Sequence, residues 1–211
     1  VARLPAAGTG AVSTLMVTVC LTAAIALLGG IGVSGGIALA GFAAERPGAR
    51  FIIGGAAGGF VTGAAVRLIG LDAFDLLFGG APREITGGSE GAVLGAAAAV
   101  TVWLASAGWS VRRAASCGAL AGAVGGLAVA IMGGRLLGGS LASLAERFPA
   151  SRLDLDRLGA LFGEPGFGPL TRAVTGAAEA ALFVGSTVAA IVWAQRRSGE
   201  GSIPPIPPPA P

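Results

Sequence analysis

Hydrophobic positions in this chain come in long unbroken runs, and the few charged positions fall between them. From Leu4 to Ala44 no residue is charged. At 1.5 Å per residue, one helix over that run would be about 60 Å long, roughly twice the hydrocarbon thickness of a bilayer. The run is expected to fold back, tilt steeply or leave the membrane, with Gly29-Gly30 as the natural break. That gives a first span over about 9–28 and a second over about 31–44, the latter short for a spanning helix.

Glu45-Arg46-Pro47-Gly48 then reads as a turn at a membrane surface. Phe51–Gly70 is the next span, followed by Leu71–Phe78, where Asp72 and Asp75 share one face and apolar residues the other, as in an interfacial helix. A polar loop over 79–89 leads to a span at about 90–109, closed by Arg112-Arg113. Ala114–Gly134 is a further span. The excursion over about 139–168 carries Glu146, Arg147, Arg152, Asp154, Asp156, Arg157 and Glu164, and the last span, about 170–194, ends at Arg196-Arg197. The pattern predicts an all-α, polytopic transmembrane helical bundle of about six spans, five being the alternative. They form hairpins over about 9–44, 51–109 and 114–194 of one domain, 1–197. The tail over 198–211 is proline-rich, read as polyproline II that is either a solvated end or a docking peptide for a protein partner.

Composition strengthens the membrane reading. Mean hydropathy is +0.80, and 12% of residues are charged, about half the share in a soluble domain. Lipid is therefore the expected solvent. Two four-residue ridges, Gly55-x-x-x-Gly59-x-x-x-Gly63 and Gly118-x-x-x-Gly122-x-x-x-Gly126, are suited to close helix packing in lipid.

What is missing narrows the chemistry. There is no histidine, and all 14 basic residues are arginine. Without imidazole there is no ligand of that kind for haem, zinc or copper, and without lysine there is no Schiff-base site. Cys20 and Cys117 lie inside apolar runs and read as packed thiols. Asp154-x-Asp156 is flanked by Arg152 and Arg157 and reads as a solvated helix face. No nucleophile triad, P-loop or dinucleotide fingerprint occurs. The expectation is no enzyme, no cofactor and no metal. The dispersed arginines form no nucleic-acid footprint. The arginine bias fits a GC-rich bacterium and its inner membrane. The chain opens at Val1 without a signal-peptide pattern, so a longer parent protein stays open.

Features also recur in the same order. Arg67-Leu68-Ile69-Gly70 returns as Arg135-Leu136-Leu137-Gly138, and Leu77-Phe78-Gly79 as Leu161-Phe162-Gly163. Thr86-Gly87-x-x-Glu90 returns as Thr175-Gly176-x-x-Glu179, and Val102-Trp103 as Val192-Trp193. This predicts a duplicated hairpin of span, interfacial helix, loop and span, in parallel copies. With six spans, one face carries Arg3, Arg46, Arg50, Arg112, Arg113, Arg196 and Arg197 in short loops, together with the tryptophans, and is expected to be cytoplasmic along with the C-terminus.

The candidate chemistry is two repeated pairs, Arg67 with Glu90 and Arg135 with Glu179, each at one end of its hairpin. An ionisable group at mid-bilayer costs about 2.5–3.5 kcal/mol on insertion scales, so these groups should pair or reach water. They either staple the hairpins or line an ion or proton path, with Glu179 the choice for a relay. Three functions follow. The leading one is a structural or accessory subunit of a larger membrane complex, with the bilayer and other membrane subunits as partners. The second is a small channel or transporter, and the third the membrane anchor of a longer protein.

Overall fold

The computed structural model describes residues 9–42, 48–78, 86–147 and 155–200, and every regular element among them is helical. The order is α1 (Thr9–Phe42), α2 (Ala49–Phe78), α3 (Gly88–Ala105), α4 (Val111–Ile131), α5 (Leu137–Arg147), α6 (Asp156–Leu161) and α7 (Pro169–Glu200). Five of them contain a stretch long and apolar enough to cross a membrane: Val19–Phe42, Ala49–Asp72, Gly88–Ala105, Val111–Ile131 and Pro169–Ser198.

The expected break at Gly29-Gly30 is absent. α1 runs through both glycines as one helix of 34 residues, Thr9–Phe42, with one candidate span where a hairpin was expected. Two glycines weaken a helix in water by up to about 1 kcal/mol each. In an apolar environment the backbone has no water to turn to, and an intact helix satisfies it. Packing adds to this, because Gly29 lies against Phe183 and Gly30 against Thr187 of α7. Likewise, the stretch expected as a separate interfacial helix, Leu71–Phe78, is the continuation of α2.

The ends of the helices follow from local chemistry. α4 stops at Ile131 because Gly133 takes φ +80°. The Gly134 N–H then donates to Val129 O (2.9 Å) and Gly133 N–H to Ala130 O (3.1 Å), the paired bonds of a Schellman cap. At its start, Ser110 Oγ accepts from Arg113 N–H at 3.2 Å.

Neighbouring helices pack antiparallel, backbone on backbone. Gly32 and Gly36 of α1 meet Gly58 and Gly54 of α2. Gly55, Gly59 and Gly63 of α2 meet Gly95, Gly91 and Gly87 beside and along α3. Gly118, Gly122 and Gly126 of α4 meet Val184 and Val188, Ala180 and Gly176 of α7. At most of these places a Cβ would overlap a carbonyl oxygen of the facing helix. α3 also touches α4 and α7 and so joins the two pairs.

The core is made of small side chains: the largest that are fully buried are Val33, Val102, Val184, Val188 and Thr171. Many bulky apolar residues lie outside, with Phe42 90%, Ile131 77% and Leu39 71% exposed, while Ile37, Leu94 and Leu136 are buried. In water this would be an unstable surface. In lipid it is the expected arrangement, because helices associate there through close contact of small residues and leave large ones to the acyl chains.

Candidate functional site

Polar groups of the two helix pairs gather at one end of the bundle, where α3 and α7 begin and α4 ends. Glu90 is 9% exposed in the first turn of α3. Its Oε2 accepts the Gly87 N–H at 3.0 Å and the Ser89 hydroxyl at 2.9 Å, so the carboxylate closes the N-terminus of its own helix. Arg67, from α2, reaches the same point. A Cβ placed on Gly87 would lie 2.9 Å from Arg67 Nη1 and 3.4 Å from Glu90 Oε2. The other carboxylate oxygen, Oε1, faces Gly134 beyond α4, 3.0 Å from where a Cβ would stand.

Glu179 has a different task. It lies well inside α7, and its Oε1 accepts the Gly138 N–H at 2.8 Å, with the Leu137 N–H as a further donor. These are the first amides of α5, left without partners inside that helix. Glu179 thus caps α5 from across the bundle. Arg135 sits in the connection between α4 and α5, and its guanidinium donates to Ser143 Oγ on α5. The sequence places Arg67 and Arg135 as equivalents, but Arg67 lies within α2 and Arg135 past the end of α4.

Several participants were not foreseen. The Thr86 hydroxyl donates to Arg135 O at 2.9 Å and lies 3.0 Å from Ser140 Oγ, while the Thr86 N–H donates to Ser140 Oγ at 3.0 Å. One threonine therefore ties the entry to α3 to the start of α5. Thr86 heads the repeated Thr-Gly-x-x-Glu motif, in which Gly87 and Glu90, three residues apart, have the capping-box spacing; the repeat itself is the available signal. Glu164, expected only as part of a polar excursion, caps α7. Its Oε1 accepts Leu170 N–H at 2.9 Å, and its Oε2 accepts the Thr171 N–H at 2.8 Å and hydroxyl at 2.7 Å. The Thr171 hydroxyl, then the Thr171 and Leu170 amides, hold the Glu164 carboxyl below the ordinary value of 4.5.

The opposite end carries arginine and tryptophan. The Arg113 guanidinium lies 4.5 Å from the Trp109 ring centre and that of Arg197 4.2 Å from Trp193. Arg196 Nη2 donates to Trp109 O at 2.7 Å, which pins the end of α7 to the α3–α4 turn. A half-exposed indole beside a cation suits the headgroup level of a bilayer. Arg50 lies at this end too, since α2 begins here.

Among the described residues no three His, Cys, Asp or Glu side chains come together as a metal ion would require. Cys20 and Cys117 are free thiols. Arg3, Arg46 and residues 201–211 of the proline-rich tail lie outside the described residues. No protein-family model, no curated protein and no solved structure matches the chain. Function has to be argued from the arrangement itself, which amounts to a multi-helix bundle suited to lipid, with Glu90, Glu164 and Glu179 engaged at helix ends.

Proposed function

We propose that this chain is a non-enzymatic integral membrane protein serving as a structural or accessory subunit of a larger membrane assembly. The observation that carries this reading is the use of its acids. Glu90 accepts at the start of α3, Glu179 at the start of α5 and Glu164 at the start of α7. Each anion meets amides that a helix leaves unsatisfied, which is a way of fixing a shape. The bacterial inner membrane, with the arginine- and tryptophan-bearing end and the C-terminus on the cytoplasmic side, suits the short arginine-rich connections.

Extraction in mild detergent followed by affinity purification tests the proposal. It predicts a membrane protein that co-purifies at constant stoichiometry through size exclusion. A monomer free of any partner, from cells cross-linked before lysis as well, would overturn it.

A channel or transporter is the second reading. It draws on Arg67, Glu90, Arg135 and Glu179 all lying at one end, with Thr86 joining the two helix pairs there. It requires ion or proton flux in reconstituted vesicles that falls on Glu90→Gln or Glu179→Gln. Flux indifferent to both variants removes it.

A further inference from the structure

α1 and α2 touch along their glycines, and on one side of that contact they leave an open groove of about 620 Å³. Its floor is the backbone of both helices. Its walls are Ile31 and Leu39 of α1 and Ile53 and Val61 of α2, all more than 60% exposed. Arg50 lies at one end and is the single charged residue among those lining it. Thr62 lies at the other, its hydroxyl turned back onto Gly58 O of its own helix at 2.9 Å, so it presents no free donor.

We propose that this groove binds one acyl chain of an anionic phospholipid, with the lipid phosphate at Arg50. Three features support that occupant. First, the groove is apolar throughout except at one end. Second, its length fits: from Arg50 to Thr62 is twelve residues of helix, about 18 Å, against about 15 Å for half the hydrocarbon layer. A chain entering at Arg50 would end near the bilayer centre. Third, Arg50 lies in the first turn of α2, at the same end as the tryptophan–arginine pairs. The positive end of that helix adds to the guanidinium in favouring a phosphate at headgroup level. A second protein helix, about 10 Å across with its side chains, is a poorer fit to a groove walled by single side chains. The site needs the bilayer and no partner subunit, so its test stands apart from the co-purification above.

Gly35 makes the test clean. It lines the groove, yet nothing lies within 4 Å of where its Cβ would be, so a side chain there fills the groove without disturbing the α1–α2 contact. The purified full-length protein is titrated with phosphatidylglycerol and with phosphatidylcholine, and bound lipid is counted by native mass spectrometry. The proposal predicts one phosphatidylglycerol that survives delipidation in the parent protein and is lost in Gly35→Leu. Ala57→Phe, at an exposed groove position on α2, should lose it as well, which guards against a folding defect peculiar to one variant. Arg50→Gln should keep a bound chain but lower the preference for phosphatidylglycerol about fivefold, the worth of one arginine near an anionic surface. Equal retention of both lipids by the parent, no retained lipid, or retention unchanged in both groove-filling variants would overturn the proposal.

Discussion

At Gly59 and Gly91 two helix backbones meet with no side chain between them, and a Cβ on either would overlap the other's carbonyl oxygen. Gly91→Ala should therefore cost about 1–3 kcal/mol, as overpacking does. Gly35, with nothing within 4 Å, is the matched control. Gly35→Ala should leave the thermal midpoint in detergent unchanged or raise it, since alanine favours a helix by about 1 kcal/mol. Equal midpoints for the two variants would contradict the contact. The ridge spacing of Gly55, Gly59, Gly63, Gly118, Gly122 and Gly126 is legible in the sequence. Which helix each would face is not, because spacing marks a flat side and not its partner. Gly54 and Gly58, adjacent in sequence, serve α1 instead. Glu164 offers a second residue-scale test. Its carboxyl is held below 4.5 in the folded protein, so its contribution to stability is present above that value and is lost as pH falls through the lower, folded one. Thr171→Val removes the largest cause. It should move the Glu164 carboxyl titration, followed by carbon-13 NMR, back up towards its ordinary value; an unmoved titration would show that the Thr171 hydroxyl does not hold it.

Among the elements, α5 is capped by a residue of another helix, Glu179 of α7. With Glu179 replaced by alanine, the Leu137 and Gly138 amides lose their acceptor, at a cost of about 1 kcal/mol typical of a lost cap. Amide hydrogen exchange should quicken across the first turn of α5 and stay unchanged in α3, which Glu90 caps from within. Uniform quickening in both would mean that Glu179 supports the bundle at large. The sequence predicted long helices correctly, because uncharged, largely apolar runs of sixteen or more residues leave little alternative. Their ends were less legible. Gly29-Gly30 and Gly133-Gly134 are the same dipeptide, but the first is held inside α1 against α7 and the second closes α4 with a positive φ. What separates them is tertiary packing and the polar residues that follow Gly134. For the same reason, the continuation of α2 through Asp72 was not foreseen, since amphipathicity fixes a face and not a bend.

For the whole molecule, α2–α3 and α4–α7 share a contact register. Gly55, Gly59 and Gly63 face positions 95, 91 and 87, and Gly118, Gly122 and Gly126 face 184, 180 and 176. That parallel supports the proposed duplication, although the α4–α7 connection adds α5 and α6 where α2 runs straight on. The carboxylates at matched places, Glu90 and Glu179, consequently cap different helices. The central claim is that this bundle sits in lipid, with α1 crossing once. Ile31 tests both halves, because it is 67% exposed on the protein and lies midway along the candidate span Val19–Phe42, where a bilayer would keep water away. With Cys20 and Cys117 replaced, single cysteines at Ile31, Ser106 and Glu146 would be treated with a membrane-impermeant maleimide in intact and in opened vesicles. The account predicts that position 31 stays unlabelled in both, while 106 and 146 label from opposite sides. Labelling at position 31 as fast as at position 106 would contradict it.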